Sequence, residues 1–444
     1  MNKKGTMIFG LIIYKILYEF IYSYGVSPLF SYMQLIYKPN LQKMVLSYVL
    51  FFLLIVILPQ KRENVSEYLI SVFFIFTVTP LLSFYWQADQ ATTYILYCVI
   101  AFIVLVGASQ IPIKTKTKNK IVLLNQWKMR KVDIVALVAL VIGGLMILIT
   151  MEYGFADSKA MNLYLVYEVR ENRSFTGIYG YIINWIPYAL VPWLLCMSLY
   201  LKRWGYVIFA VVVQVYMFLL LGSKTALFSV ALILASYFLV KLKCNYMFMW
   251  SIGLTTLNIF TFAVWKVFSE LMPFGIFPTR LLSLPAAISF MHYDFFSTNP
   301  KLHFAENIIG RILGIKSPYS KLAMYLISGV YGKTASYCTG YLGDSYDNGG
   351  FAIMIVYSII LALIFRLIDK IYKEVSNETR DQQAMFVGIL TYSMIYLNDG
   401  TLTALLATGG LVLVLFLFII YENKIYCERK IDTVKRIGNE TSRL

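Results

Sequence analysis

The sequence has little charge for its length. Of its 444 residues only 14% are Asp, Glu, Lys or Arg, whereas 59% are hydrophobic and the mean hydropathy is +0.69. Soluble domains carry about 25% charged and about 45–50% apolar residues. This shortage of charge excludes an ordinary soluble protein and indicates a chain that crosses a membrane several times.

Cysteine and histidine are scarce, and neither is arranged as a site. The five cysteines are scattered, and their spacing forms neither a disulfide framework nor a CxxC metal motif. The two histidines, His292 and His303, stand eleven residues apart, which is no metal-ligand spacing. Internal repeats and low-complexity tracts are also missing. These absences exclude a disulfide scaffold, a zinc module and a repeat array, and no metal or cofactor is expected.

What the sequence does have is long apolar runs. Crossing the hydrocarbon layer takes about 20 mostly apolar residues per helix. Twelve runs qualify, near residues 6–24, 43–59, 68–86, 91–112, 132–151, 177–200, 204–221, 224–240, 246–265, 350–367, 384–398 and 401–421. The first run continues from MNKKGTMIFG without an A-x-A-like cleavage site, so we expect it to stay as an anchor. The fold class predicted is therefore an all-α polytopic integral membrane protein with about 12 transmembrane helices.

The distribution of cations predicts the orientation. They cluster in the connections that follow even-numbered runs, at Lys61, Arg62, Lys114, Lys116, Lys118, Lys120, Lys128, Arg130, Lys131, Lys202, Arg203, Lys241 and Lys243. By the positive-inside rule these connections are cytoplasmic, and the same parity places both termini in the cytoplasm. Topology and anionic lipid headgroups thus account for much of the net charge of +16. Membrane lipid is an expected partner, whereas nucleic acid is not.

The connections on the opposite face differ greatly in length. Residues 1–265 hold nine helices with a smaller outward loop at about 152–176, and residues 266–349 form one large outward loop. Residues 350–421 hold the last three helices, and 422–444 form a basic cytoplasmic tail. A long loop punctuated by proline, without low-complexity composition, usually carries function.

One segment of the large loop reads as an amphipathic helix. In TRLLSLPAAISFMHYDFF the apolar residues recur every three or four positions, which predicts a short helix lying on the outer membrane surface or dipping into it. Thr279 would be its N-cap and Arg280 its first residue. The turn LGSKT repeats this arrangement, with Ser223 as the cap and Lys224 opening the eighth helix. A cation at a helix N-terminus opposes the helix dipole unless an anion sits between them, so both sites point to an anionic ligand.

Each of these residues also has a plainer interpretation. Lys224 can extend to the headgroups, and Arg280 can pair with a lipid phosphate. Arg170 and Arg173, one turn apart in YEVRENR, form either a solvated ion-pair face or a ligand contact. His292, two residues before Asp294, is either an acid/base pair with it or a packed, hydrogen-bonded histidine.

Three stretches carry a resemblance to a known family. LLLGSKTALF, RLLSLPAAISFMHYDFFSTNP and TGYLGDSYDNGGFAIMIVYSII resemble the Wzy-type oligosaccharide repeat-unit polymerases, which build O-antigen and capsule on bacterial cells. The resemblance covers roughly Leu219 to Leu367, and the block GYLGDSYDNGGF is its most specific part. The family's loop motif of arginine, ten residues and glycine is not matched at Arg170 or Arg173.

The resemblance implies a GT-C-like glycosyltransferase on the outer face of the bacterial inner membrane. Its substrates would be oligosaccharides linked to undecaprenyl pyrophosphate, and a chain-length regulator protein would be a further partner. The growing glycan moves to a hydroxyl of a new repeat unit, and undecaprenyl pyrophosphate departs. Fixed cations would stabilise that leaving group, and the candidates are Arg280, Arg311, Lys224, Arg170 and Arg173. For the base that activates the hydroxyl, Asp294 and His292 are preferred to Asp344 and Asp347.

The acidic, glycine-rich block would then be the rim of a sugar site. Asp344, Tyr346, Asp347 and Asn348 offer hydrogen-bonding groups and a ring to a sugar, while Gly349 and Gly350 let the chain enter the tenth helix. Alternatively, Asp347 or Asn348 simply caps that helix. A Mg²⁺ site on Asp344 and Asp347 is a further alternative, which would need waters or substrate phosphates to complete it.

Two other functional classes stay open. An O-antigen ligase would share the architecture and the donor. A polysaccharide flippase or other secondary transporter would also have about twelve helices, but would more often show internal repetition and charges near mid-membrane. Only Lys15 and Glu19 lie deep in an apolar run, spaced as an i,i+4 pair.

Overall fold

The structure is a computed structural model, and it describes residues 3–111, 131–171, 173–375 and 379–421. These residues form helices joined by loops, with no β-strand among them. The predicted basic tail at 422–444 and most of the lysine-rich connection before the fifth run lie outside the described residues.

Thirteen long helices, numbered along the described chain, make up the fold. They are α1 (Lys4–Met33), α2 (Leu41–Ile57), α3 (Val65–Gln87), α4 (Thr92–Gln110), α5 (Ile134–Tyr153), α6 (Tyr179–Tyr200), α7 (Trp204–Leu221), α8 (Lys224–Lys241), α9 (Tyr246–Phe268), α10 (Met272–Thr298), α11 (Tyr341–Glu374), α12 (Arg380–Tyr396) and α13 (Leu402–Tyr421). Shorter helices are Val166–Glu171, Ile308–Leu313 and Ala323–Val330.

Eleven of the described helices are long and apolar enough to cross a membrane. This confirms the prediction of an all-helical, multi-pass membrane protein. Ten of the twelve predicted runs coincide with such helices, whereas 43–59 and 384–398 correspond to the 17-residue helices α2 and α12. The eleventh is α10, which lies within the predicted outward loop.

The chain divides into two compact units. The first comprises Met1–Ile111, Lys243–Arg366 and Met394–Leu405. The second comprises Pro112–Leu242, Leu367–Ser393 and Leu406–Leu444. In the first unit α1 packs along α9, with Gly10 against Phe248 and Gly25 against Phe262, so that these two helices run in the same direction.

The start of α10 differs from the prediction. The helix begins at Met272, and Thr279 lies buried inside a π-helical segment, Gly275–Ser283, rather than at an N-cap. The Thr279 hydroxyl donates to the carbonyl of Phe274, a preceding helical residue. Arg280 therefore sits within a helix and does not oppose the dipole at a helix N-terminus, so its position does not point to an anion. For α8 the predicted start is confirmed, because Lys224 begins the helix and Ser223 stands at the N-cap position, although the Ser223 side chain forms no capping hydrogen bond.

Both ends of α10 pack against the same end of the first unit. Phe274, near its start, contacts Phe30 in the last turn of α1 and Phe262 near the end of α9. Phe290, near its finish, contacts Phe84 in the last turn of α3. The segments that follow Phe30 and Phe84 are joined in turn by a backbone hydrogen bond of 2.7 Å from Lys38 to Gln87. This contact pattern favours a helix that dips into the unit and returns to the same end.

Two native cysteines can test this arrangement. Cys338 is exposed and follows Tyr337, which contacts α10 near its finish, whereas Cys244 is partly exposed at the start of α9. If α9 crosses the membrane once and α10 dips and returns, the two thiols face opposite sides. In intact spheroplasts a membrane-impermeant maleimide is expected to label Cys338 but to label Cys244 only after permeabilisation. Labelling of both or neither without permeabilisation would show that α10 crosses completely; Cys338→Ser gives the background.

A buried ion pair joins α1 to its neighbours in the first unit. Lys15 Nζ lies 2.5 Å from Glu19 Oε1 and donates to the hydroxyls of Ser47 and Ser83 at 3.1 Å each. Glu19 also accepts hydrogen bonds from Trp86 Nε1 at 2.8 Å and from the Tyr48 hydroxyl at 2.7 Å. The sequence-predicted i,i+4 pair thus exists, and its hydrogen bonds offset part of the cost of burying two charges.

Candidate functional site

The acidic block is helical rather than a turn. Residues 341–348 form a short helical segment at the start of α11, and the break follows at Gly349 and Gly350. Gly350 has φ 67° and ψ −156°, a backbone region essentially restricted to glycine. The two glycines therefore separate the polar segment from the apolar helix behind it.

The loop that follows α10 closes the end of this polar segment. The amide of Leu302 donates to the Asp347 carbonyl at 2.9 Å, and the amide of Phe304 donates to Asn348 Oδ1 at 2.7 Å. Asn348 Nδ2 donates back to the carbonyl and carboxylate of Asp344, at 2.8 and 3.0 Å. Asn348 thus ties the segment to the loop, and does not cap the apolar helix as the alternative interpretation held.

His292 and Asp347 form a buried pair at the centre of the site. His292 Nδ1 lies 2.5 Å from Asp347 Oδ2, and each residue is only 2% exposed. On the other side of the ring, His292 Nε2 donates to the carbonyl of Tyr337 at 2.9 Å. Both ring nitrogens therefore face acceptor atoms, and the imidazole has no nitrogen left to accept a proton from a ligand.

The second oxygen of Asp347 is available. Among the described residues no group hydrogen bonds to Asp347 Oδ1, although this atom is buried. A buried carboxylate oxygen without a partner is costly, and in native proteins it needs an explanation such as a ligand or a catalytic role. The pair thus presents one fixed acceptor atom, held in place by His292.

A chain of contacts in the same loop holds the Tyr337 carbonyl. Both carboxylate oxygens of Glu306 accept from the amide of Ala323, at 2.9 and 3.0 Å, at the start of the helix Ala323–Val330. Partial burial raises the pKa of Glu306. The carbonyl of Met324 in that helix accepts from the Tyr337 amide at 3.0 Å. The orientation of His292 therefore depends on residues far from it in sequence.

Lys301 lies beside the pair on the loop. Its Nζ stands 3.4 Å from the centre of the Tyr346 ring, a cation–π contact. Among the described residues the ammonium has no hydrogen-bond partner, and its atom is buried while the side chain as a whole is half-buried. Burial lowers the pKa of Lys301 to about 8, and the attraction of Asp347 acts in the opposite direction.

Aromatic rings line the remaining side. The Tyr346 ring lies 4.8 Å from that of Tyr293 and 5.8 Å from that of Tyr94, and Tyr97 stacks on Phe351 at 4.5 Å. Tyr293 and Tyr97 are partly exposed, whereas Tyr94 is buried. Accessible rings with a polar tip suit a ligand that combines apolar faces with hydroxyls.

The other predicted residues of the first unit lie outside this hydrogen-bonded centre. Arg280, Asp294 and Arg311 are exposed, on α10 and on the short helix Ile308–Leu313. None of them takes part in the hydrogen bonds of the buried pair. The structure therefore joins His292 with Asp347 rather than with Asp294. From the sequence, His292 was a preferred candidate for the base, whereas Asp347 belonged to the rim of the sugar site.

In the second unit, Arg170 and Lys224 are brought near one another. A Cβ added to Gly222, the residue before the cap of α8, would lie 3.6 Å from Cβ of Arg170. Gly222 has φ 59° and its missing side chain admits the Val166 carbonyl, so the helix Val166–Glu171 packs on the LGSKT turn. Arg173 donates to the carbonyl of Phe155 at 2.5 Å instead. Two of the three predicted cations of this unit thus share one region.

Several residues of the site were not identified from the sequence. Lys301 and Tyr337 sit in a loop without a motif, and Tyr94 and Tyr97 sit in an apolar run. The only signal for Lys301 was its position directly after Pro300, at the end of the STNP sequence in which α10 finishes. Among the described residues no group of three or more His, Cys, Asp or Glu side chains is placed to hold a metal ion.

Comparison with known proteins gives no match. No protein-family model, no curated protein and no solved structure is significantly similar to this chain.

Proposed function

We propose that the protein is a membrane glycosyltransferase that polymerises oligosaccharide repeat units carried on undecaprenyl pyrophosphate, at the outer face of a bacterial cytoplasmic membrane. One observation carries the proposal: a buried His292–Asp347 pair offers a free carboxylate oxygen beside a lysine and accessible aromatic rings. The resemblance of the GYLGDSYDNGGF block to the repeat-unit polymerases supports the same reaction.

In the proposed reaction Asp347 is the general base. The acceptor hydroxyl donates its proton to Asp347 Oδ1 as its oxygen bonds to the anomeric carbon of the donor glycan. The bond from that carbon to the pyrophosphate breaks, and undecaprenyl pyrophosphate leaves with the electron pair. His292 positions the carboxylate through Oδ2 and compensates its charge. We prefer Asp347 to His292 because both His292 nitrogens are already engaged, and to Asp294 because that side chain is exposed and lies outside the hydrogen bonds of the buried pair.

The leaving pyrophosphate requires cations. Arg280 and Arg311 in the first unit and Arg170, Arg173 and Lys224 in the second remain the candidates. Arginine is the better partner because its planar fork donates two parallel hydrogen bonds to phosphate oxygens.

Gene deletion tests the proposal as a whole. Cells without the protein are expected to display at most one repeat unit on the surface acceptor, because flipping and ligation continue without polymerisation. Glycan length on a gel is the measurement, with the wild-type gene on a plasmid as the control. Unchanged long polymer would refute the proposal. If long polymer instead accumulated on undecaprenyl pyrophosphate, the protein would be a ligase rather than a polymerase.

A secondary transporter is the second candidate, favoured by the Lys15–Glu19 pair inside an apolar helix. Ionisable residues within membrane helices often mark ion pathways. This pair is, however, surrounded by hydrogen-bond partners, an arrangement that also serves simply to hold α1 in place. In the deletion strain a flippase would leave repeat units on the cytoplasmic face, so that even the single-unit surface product disappears.

A further inference from the structure

Lys301 is the least satisfied charged group in the first unit's site. Its ammonium has three donor hydrogens, none of them bonded within the described residues, and its atom is shielded from solvent. The Tyr346 ring, 3.4 Å away, is its only described attractive contact at close range. A cation–π contact does not replace the hydrogen bonds that an ammonium loses when it is shielded from water, so the burial of this charge is only partly compensated.

The backbone around Lys301 keeps the ammonium in this place. The next residue, Leu302, is hydrogen-bonded to the Asp347 carbonyl, and Lys301 Cε passes 3.9 Å from the position a Cβ would take on Gly350. Among the described residues, Lys301 Nζ and Asp347 Oδ1 are two of the buried polar atoms without a hydrogen-bond partner in this segment, and Asp344 Oδ2 is a third. An unpaired donor and an unpaired acceptor in the same part of the site fit a ligand that brings both an anionic oxygen and a hydroxyl.

We propose that Lys301 is a substrate-binding residue that takes an oxyanion of the substrate, with Tyr346 as the ring beneath it, while Asp347 Oδ1 accepts a hydroxyl. The inference rests on the proposed function for the identity of the hydroxyl. Two sources can supply the oxyanion: a phosphate of the lipid carrier, or a carboxylate on an acidic sugar of the repeat unit.

Binding to the purified full-length protein tests this directly. In detergent, sodium pyrophosphate and sodium glucuronate are titrated against the wild type, with methyl glucoside as the neutral probe, and thermal unfolding reports saturable binding. We expect at least one anion, but not methyl glucoside, to raise Tm. Lys301→Met is expected to weaken the binding of that anion at least tenfold, and Lys301→Arg is expected to bind it as the wild type does. The exposed Lys316→Met is the matched control.

The same titration separates a binding role from a structural one. If Lys301 is kept for a ligand, the uncharged Lys301→Met protein has a Tm equal to or above that of the wild type without ligand, since a buried unpaired charge is removed. A lower Tm with unchanged anion binding would show that Lys301 only stabilises the loop, and would overturn the inference. So would the absence of saturable binding of either anion to the wild type.

The pattern of binding identifies the source of the oxyanion. Saturation by pyrophosphate alone assigns a carrier phosphate, saturation by glucuronate alone assigns an acidic sugar, and saturation by both assigns a general oxyanion site. None of these readouts requires polymerase activity. If anion binding depends on Lys301, the role of Lys301 is supported even when gene deletion leaves the polymer unchanged. If anion binding does not depend on Lys301, the polymerase proposal is still tested separately by glycan length.

Discussion

Cells carrying Asp347→Asn are expected to make no long polymer at normal protein levels. The amide keeps the shape of the side chain and can still accept from His292 Nδ1, so folding is preserved, but it cannot take a proton from the acceptor hydroxyl. General-base catalysis typically contributes about 10²–10⁴ in rate, which sets the expected loss. Glycan length on a gel is read beside membrane protein measured by immunoblot.

Two companion variants make this result specific. The partly exposed Glu374→Gln carries the same carboxylate-to-amide change in an ion pair of 3.9 Å with Lys370, and is expected to leave polymer unchanged. Asp294→Asn decides between the two carboxylates. If Asp347→Asn cells make full-length polymer and Asp294→Asn cells make none, Asp294 is the general base. Normal polymer from both variants would remove general-base catalysis from this part of α10 and α11.

His292 is expected to behave as a positioning residue. His292→Ala leaves the Asp347 carboxylate buried without its partner, and breaking a buried ion pair typically costs about 3–5 kcal/mol. Its activity loss should therefore come with a lower Tm, unlike that of Asp347→Asn. In the double variant His292→Ala/Asp347→Asn, activity should fall no further than in Asp347→Asn alone, because the two groups act as one unit.

Hydropathy predicted most of the fold because the membrane imposes it. Each crossing needs a long apolar helix whose backbone groups are satisfied internally, so the runs in the sequence translate directly into helices. The α10 segment shows a feature that the sequence pattern did not predict. Its period of three to four residues correctly indicated a helix, but the first helical residue was placed eight residues late, at Arg280 instead of Met272. The residues before Thr279 include two prolines, which disfavour a helix interior. These residues are nevertheless helical and lead into a π-helical segment.

The site was predicted in its parts but not in its connections. His292 and Asp347 were both candidates, yet 55 residues separate them, and no local pattern indicates that a loop will bring them within 2.5 Å. Lys301 and Tyr337 had no signal, because their roles come from what the backbone next to them binds. Local periodicity reports which face of a helix is buried, whereas pairing across a loop is decided by tertiary packing.

Gly340 shows how tightly that packing holds the polar segment of α11. A Cβ added there would lie 2.5 Å from the carbonyl oxygens of both Leu397 and Asn398 and 2.8 Å from a carbonyl carbon. These are backbone atoms and cannot rotate away. They are also fixed themselves, because Asn398 Nδ2 donates to the Leu281 carbonyl at 2.8 Å and the Tyr341 amide donates to Leu397 at 3.2 Å. Only glycine allows the segment to approach this closely.

Gly340→Ala is therefore expected to shift residues 341–348 away from Leu397 and Asn398, and with them Asp347 away from His292. Overpacking typically costs about 1–3 kcal/mol, and the backbone contacts place this site at the upper end. The measurements are Tm in detergent and glycan length at matched expression, and both should fall. Gly143→Ala in α5 is the control, since nothing lies within 4 Å of its added Cβ and alanine favours a helix by about 1 kcal/mol over glycine. If Gly340→Ala kept the wild-type Tm and polymer, the approach to Leu397 and Asn398 would not be what positions Asp347, and the loop at Lys301 and Leu302 would have to hold it alone.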